Sequence, residues 1–374
     1  MKLLYYYFET SKPMDQWKRV HFINELSQHG ICVDTFNPLV FNSFEEANQK
    51  LLDYVKNNPV DLFVSSTLKE SMLAGDVISE IRKMGIPTLC LRFDNLTTPF
   101  DDKKNGVLYD LVWLFSKETS HLYKKWGVNT MFAPFAANPY AYKYEQDGII
   151  RKACFIGTSY GSRAKMINTI SKGGGKVDLF FGKNNNAAPS EHQEIEVKLQ
   201  VNTTSSYLSY YNRVRFAEGR KLLYSALLNK LSKGQELDKN SNVAISPSVP
   251  FEEMIKLYSN YALSLSFTST ENSDILKKPL GRTFLRTFEI PMAGGIQICR
   301  YFEELNDYFE DGKEIIMYKT DEELIDKVDY ILNKATDSEI IRMKQSARKR
   351  SENEHTWMKR FDVAFEKLGL KVVK

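Results

Sequence analysis

The sequence predicts an α/β fold of two Rossmann-like domains facing a central cleft, on three observations. Strand-like and helix-like segments alternate from residue 3 to residue 133, and a second series of the same style starts at residue 152. Strands alternating with helices at that spacing build parallel, doubly wound sheets. The aperiodic run PFAANPYAYKY (Pro134 to Tyr144), with two prolines, separates the series. A length of 374 residues suits about two domains.

In the first series, Leu3 to Phe8 reads as an aromatic-rich strand, and Met14 to His29 as a helix stopped by Gly30. Ile31 to Phe36 is a strand. Ser43 to Asn57 is a helix with Ser43 as its cap ahead of Glu45 and Glu46. Asp61 to Ser65, Pro87 to Phe93, Leu108 to Phe115 and Asn129 to Ala133 are strands; Glu70 to Met84 and Glu118 to Trp126 are helices. The second series opens with strand Lys152 to Ile156 and helix Ala164 to Ser171, followed by strand Val177 to Phe181. Residues 182–206 and 234–242 are polar loops around a helical stretch, Tyr207 to Leu231. Helix Phe251 to Ser259, strand Tyr261 to Phe267, a helix from Arg282 to Met292 and strand Ile296 to Cys299 follow. Asp321 to Asn333, Asp337 to Arg350 and His355 to Leu368 are helices. The expected domains are 1–140 and 150–350, both Rossmann-like, with helix 355–374 crossing back to the first.

Composition narrows the function. Hydrophobic content of 43% and charged content of 26% are those of a globular protein, and a net charge of +4 is too small for a dedicated nucleic-acid binder. MKLLYYYFETSKP turns polar too soon for a secretory signal, and no apolar run would span a bilayer. Cys32, Cys90, Cys154 and Cys299 are dispersed, mostly in apolar runs, and read as free thiols of a cytoplasmic protein. None of the five histidines has metal-ligand spacing.

The most informative stretch is GRTFLRTFEIPMAGGIQICR, Gly281 to Arg300. At 100° per residue Arg282, Arg286 and Glu289 share one helical face, and Gly294-Gly295 end the helix. Arg forks match phosphate oxygens, and a carboxylate accepts hydrogen bonds from a ribose diol. The competing interpretation is a surface helix with an i,i+3 ion pair. FIGTSYGSR (Phe155 to Arg163) is a strand, a turn containing Gly157 and a helix start, which suits phosphate, with Arg163 adding charge. It carries neither a GxGxxG fingerprint nor a P-loop, and an ordinary strand-to-helix turn competes with the phosphate reading. Asp94, after its strand, is a candidate base or a turn residue. Glu9 and Thr10 follow the first strand and are acceptor-side candidates. Asp101 and Asp102 read as a solvated loop, the basic cluster Arg342 to Arg360 as a solvated face with a possible anionic-membrane contact, and His355 as a helix-start residue.

With these pieces in order, the second half resembles the glycosyltransferases of GT-B fold, in particular the bacterial spore-maturation and surface-polysaccharide group. The resemblance rests on RTFEIPMAGG (Arg286 to Gly295), EELNDYFEDGKEIIMYKTDEEL (Glu303 to Leu324), HTWMKR (His355 to Arg360), VPFEEMIKLYSNYALSLSF (Val249 to Phe267) and FIGTSYGSR. It covers most of residues 150–365; the first half shares only architecture and pieces such as FAPFAANP. In the related enzymes a Glu-x7-Glu motif holds the donor, and Glu289 matches its second Glu, which binds the ribose. The first Glu, which contacts the sugar, would fall at Gly281 and is absent. The resemblance implies a cytoplasmic glycosyltransferase, at the inner membrane face in one version, that uses a nucleotide sugar, a glycan or glycoconjugate acceptor, and neither metal nor cofactor. Gly157, Arg163, Arg282, Arg286, Glu289, Gly294 and Gly295 are then the expected donor contacts. A non-catalytic nucleotide-sugar binder and an epimerase of the same fold stay open.

Overall fold

The computed structural model describes residues 1–11, 17–159, 161–182, 197–199, 211–232, 236–238 and 242–371. The chain forms two compact units. One comprises Met1–Pro134, Glu191–Arg220 and Trp357–Lys374; the other comprises Phe135–Ser190 and Lys221–Thr356.

The first unit is built on β1 (Lys2–Tyr6), β2 (Cys32–Phe36), β3 (Leu62–Ser65), β4 (Thr88–Arg92), β5 (Leu111–Leu114) and β6 (Thr130–Phe132). All pair in parallel, in the order β2-β1-β3-β4-β5-β6. Strands β3 and β5 are buried along their whole length, as parallel strands covered on both faces must be. Helices α1 (Asn24–Gln28, preceded by a π turn at Arg19–Ile23), α2 (Phe44–Asn57), α3 (Gly75–Lys83) and α4 (Ser120–Lys125) connect them. Ser43 caps α2 as the sequence predicts, its side chain accepting the Glu46 N–H at 3.1 Å, and Ala47, Leu51 and Val55 bury one stripe. Helix α3 starts five residues later than predicted. Glu70 lies outside it and its carboxylate accepts the Gly75 N–H at 3.2 Å.

Asp102 is not in a solvated loop. It is 1% exposed, takes a 2.7 Å hydrogen bond from Arg92 Nε and accepts the Tyr123 hydroxyl. Burial pushes its carboxyl above the usual range, with Arg92 and Tyr123 opposing. The unit is completed by α11 (Trp357–Lys367). Its first N–H groups, those of Trp357 and Met358, donate to the buried Glu25 carboxylate at 3.1 and 2.6 Å, and the Trp357 ring packs against Phe22 at a tilt of 54°.

The second unit carries β7 (Ile150–Ile156), β8 (Val177–Phe180), β9 (Val243–Ser246), β10 (Tyr261–Leu265), β11 (Gln297–Arg300) and β12 (Ile316–Tyr318). The order is β12-β11-β10-β7-β8-β9, again all parallel. Counted from β7 this is 3-2-1-4-5-6 read from the other edge, the dinucleotide-binding order, whose switch point falls between β7 and β10. Its helices are α5 (Ser162–Lys172), most of α6 (Ala217–Leu231), α7 (Phe251–Asn260), α8 (Leu285–Met292), α9 (Asp321–Asp329, continued by a π turn at Tyr330–Lys334) and α10 (Asp337–Glu354). Strand β9 has no counterpart in the sequence reading. It is a four-residue edge strand with a partly exposed pattern, flanked by polar residues, so no alternation announces it. The loops predicted at 182–206 and 234–242, and the start of helix 207–231, fall largely outside the described residues.

The basic cluster between Arg342 and Arg360 is a solvated face only in part: Arg342, Lys349 and Lys359 are exposed, whereas others turn inward. Lys344 is fully buried and donates to the Ser259 carbonyl in the last turn of α7. Arg348 donates to the carbonyls of Met292, the last residue of α8, and Tyr142, and pairs with Glu352 at 2.6 Å. Arg350 Nε donates to the Tyr308 carbonyl at 3.0 Å. These cations on α10 satisfy helix-terminal and loop carbonyls, which is where burying a cation is least costly. His355 is the C-terminal cap of α10 and not the start of the next helix; it is buried, with Nε2 2.9 Å from the Tyr308 carbonyl.

Lys344 supplies a stability prediction. Burial lowers its pKa to about 8. The unfolded chain then holds more protons than the folded one between pH 8 and the ordinary lysine range, so stability should rise with pH across that window. In Lys344→Met that rise should vanish, as read from melting temperatures at pH 7 and pH 9.5. A parallel rise in the variant would remove Lys344 as its origin.

Candidate functional site

The site is assembled where the switch point places it, at the carboxyl ends of β7 and β10. Strand β7 ends in the Phe155–Gly157 turn. Gly157 has φ +140°, a conformation open to glycine, and its N–H donates to the Phe180 carbonyl at 3.0 Å. A Cβ at that position would stand 3.3 Å from Arg286 Nη2. The absent side chain is therefore what lets the Arg286 guanidinium lie on the turn. Arg286 sits in the first turn of α8, and its guanidinium carbon is 5.3 Å from the centre of the Phe155 ring. Arg163, in the first turn of α5, reaches the same ring at 5.7 Å and Phe267 at 5.4 Å, and its Nη1 donates to the Thr158 carbonyl at 2.9 Å. Two guanidinium groups thus share one aromatic ring beside a glycine turn.

Glu289 follows Arg286 by three residues on α8 and accepts a hydrogen bond from the Tyr142 hydroxyl. Tyr142 and Tyr258 are both fully buried, and burial raises both phenols well above their ordinary range. Neither Arg286 Nε nor the Tyr258 hydroxyl, both buried, has a partner of good hydrogen-bond geometry. Burial opposes the charge on Arg286, but the Tyr258 and Glu289 oxygens outweigh it and hold the guanidinium above its usual pKa. Arg286 is a fixed cation in a partly desolvated place, with donor capacity to spare.

The structure brings Gly157, Arg163, Arg286 and Glu289 together. Arg282 lies outside α8. It precedes α8 in an extended segment where Thr268 accepts its backbone N–H at 2.8 Å, and its guanidinium covers the Phe284 ring at 4.6 Å, so the predicted helical face of three charged residues holds two. Gly294 and Gly295 end α8 as predicted but lie at the amino end of β11, the edge opposite Arg286. Gly294, at φ +74°, carries the Tyr144 ring where a side chain would be, and a Cβ on Gly295 would meet Ile290 at 2.9 Å. They are packing positions, away from the Arg286 turn. The α5 start is also altered from expectation: the Ser162 N–H there is taken by Asn272 Oδ1 at 3.3 Å.

In the first unit, Glu9 is buried and its carboxylate is held by Arg19 at 2.7 and 2.8 Å. Burial pushes its pKa up, but Arg19 and Tyr7 win and keep it below the usual range. Its carboxylate is engaged by Arg19, and its backbone carbonyl accepts from Asn37 at 2.8 Å. Thr10 is half-buried beside it. Asp94 is exposed after β4, its carbonyl closing a turn with the Thr97 N–H at 3.1 Å, as the turn reading expects.

A cavity of about 340 Å³ opens beside the α5 start, lined by Ser162, Lys165, Phe267, Arg300, Tyr318 and Asp321 among others; Arg286 and Glu289 do not line it. Among the described residues no group of His, Cys, Asp and Glu that could hold a metal ion is assembled.

The fold matches solved structures along its whole length. Sucrose-phosphate synthase from Thermosynechococcus elongatus superposes with a TM-score of 0.56 over 99% of each chain at 11% identity. HepE from Anabaena, solved with UDP and glucose, gives 0.56 over 99% of each chain at 12% identity. Trehalose 6-phosphate synthase from Burkholderia multivorans gives 0.54 over 98% of each chain at 9% identity. Residues 220–366 match the family model described as glycosyl transferase-like. The fold is that of the GT-B glycosyltransferases. No curated protein sequence matches the chain. Within this GT-B chain the matched segment contains Arg286 and Glu289 but not Gly157 or Arg163, which the fold adds through β7.

Tyr142 and Tyr258 are the site residues that sequence reasoning missed. Tyr142 lies in the aperiodic PFAANPYAYKY run, which carries no pattern to place it. Tyr258 stands in an amphipathic helix, where an aromatic reads as core.

Proposed function

We propose that the chain transfers a glycosyl group from a nucleoside diphosphate sugar to a hydroxyl of a glycan or glycoconjugate, without a metal, in surface polysaccharide synthesis at the cytoplasmic face of the membrane. One observation carries the reading: the Arg286 guanidinium lies on the Gly157 turn at the switch point, three residues before a carboxylate. In the reaction the anomeric carbon leaves the diphosphate oxygen and bonds to the acceptor oxygen, while the acceptor proton passes to a base. The departing diphosphate gains negative charge. A fixed guanidinium stabilises that charge without reorganising, and Arg163 adds a second cation on the same ring. In this reading Glu289, hydrogen-bonded by Tyr142, accepts from the ribose hydroxyls, as acidic residues do in dinucleotide folds. The complex of the HepE neighbour with UDP and glucose supports a donor of this class. No proton transfer is assigned to Asp94.

Gly281 favours a second reading. A Cβ there would meet Phe302 at 2.6 Å, so the acidic residue that related enzymes place at this position does not fit this packing. A nucleotide-sugar binder without transfer activity is the alternative. Calorimetric titration with UDP, GDP, CMP and dTDP, and their sugars, tests the donor. Glu289→Ala should weaken nucleotide binding about tenfold or more while the chain stays folded, since hydrogen bonds to a charged group contribute about 1.5–3 kcal/mol. Equal affinity would remove Glu289 from the site. Slow donor hydrolysis by the parent protein marks an enzyme; tight binding with none marks a binder.

A further inference from the structure

Among the described residues, six large apolar side chains are more than half exposed, and five of them fall between residues 211 and 231: Tyr211 (68%), Val214 (51%), Tyr224 (56%), Leu227 (53%) and Leu231 (73%). The last three lie on α6 at spacings of three and four, so with Arg220 they form one stripe along the helix. The other side of α6 is closed: Leu222 and Ser225 are fully buried. A helix apolar on both sides is ordinarily covered on both, yet this stripe faces outward. Its charged neighbours have one sign. Arg215, Arg220, Lys221 and Lys230 are all exposed, while Glu218, the sole acid between 211 and 232, is half-buried.

We propose that the outward face of α6 is a docking surface for an anionic lipid bilayer. A helix of 15 residues is about 22 Å long and can lie in the interfacial plane. There Leu227 and Leu231 enter the acyl boundary, the Tyr224 ring sits at headgroup level, and Arg220 and Lys221 meet lipid phosphates. A second copy of the chain fits this face poorly, because a two-fold contact sets the same cations against each other. The basic cluster on α10 offers no such surface, since that helix carries no exposed large apolar side chain beside its exposed cations. No helix among the described residues is long and apolar enough to cross a membrane.

The inference rests on the membrane-face part of the function proposed above and names its surface. It is tested without any donor, so its failure leaves the transferase reading standing, and the donor titration fails or succeeds independently. The full chain is mixed with sedimenting vesicles of phosphatidylcholine, with or without about one third phosphatidylglycerol. Binding is expected to the anionic vesicles only and to fall with added salt. The triple variant Tyr224→Ser, Leu227→Gln, Leu231→Gln should lose at least about tenfold in partitioning with an unchanged melting curve, these side chains being exposed. Arg220→Gln with Lys221→Gln should lose about twenty-five-fold, a factor of about five per cation. Equal binding to neutral vesicles, no binding to either kind, or unaltered binding by the triple variant overturns the proposal. So does a concentration-dependent dimer abolished by that variant, which would assign the face to a second copy.

Discussion

Arg286→Ala is expected to lower donor turnover by about a hundred- to a thousand-fold, the cost of removing one pre-oriented stabiliser of a developing anion. The magnitude follows from its setting. The guanidinium is buried against Phe155 and the Gly157 backbone, so it faces a ligand in a medium less screening than water. Tyr258 and Glu289 keep it charged. The effect should fall mainly on kcat, because the charge it stabilises grows as the glycosidic bond breaks. Arg286→Lys should recover little of it, since an ammonium cannot present two parallel N–H groups to two phosphate oxygens. Donor hydrolysis or transfer measured beside the parent, with thermal melting to confirm folding, checks both variants. Turnover within threefold of the parent would exclude the guanidinium from the chemistry.

The largest loss of stability is expected from Arg92→Leu, about 3–5 kcal/mol by urea unfolding, because it strips a buried carboxylate of its cation. Asp102 would keep only the Tyr123 hydroxyl. Arg92→Leu combined with Asp102→Leu should regain most of the loss, as replacing both members of a buried pair by apolar groups leaves no orphan charge. The pH dependence has a definite sign. A carboxyl whose folded pKa is raised contributes stability below its unfolded pKa, and that contribution is lost as pH rises through the folded one. Removing Arg92 raises the folded value further, so the single variant should be least impaired in acid and lose ground toward neutrality. A flat difference between variant and parent from pH 4 to pH 7 would contradict this.

Much of the fold was legible in the sequence, because parallel strands buried on both faces leave short apolar runs and their helices carry readable caps. Ser43 and the glycines after the helices are of that kind. What escaped was decided by distant partners. Asp102 looks like a loop residue until β4 brings Arg92 to it, and Lys344 and Arg348 look solvated until α10 passes the carbonyl ends of α7 and α8. The same holds at the site. Arg286 and Glu289 were visible from helical spacing, and Gly157 and Arg163 from a strand-turn-helix pattern. Their meeting depends on strand order, which spacing does not encode. Arg282 was misplaced because α8 starts at Leu285, so 100° spacing was applied three residues too early. Gly294-Gly295 was read correctly as a stop and wrongly as a contact: a helix that begins beside the switch point must end at the far edge of its sheet.

The bond between Glu25 and the Trp357 N–H spans 332 positions of chain. While the polypeptide is being made, the ribosome delivers Glu25 early and its hydrogen-bond donors only after the whole second sheet has emerged. A nascent first unit must wait without these two donors to Glu25 and with Phe22 uncovered by Trp357, open to chaperones. The second unit, whose strands and helices are all complete by residue 354, has no such delay and can fold ahead of the unit that precedes it in the chain.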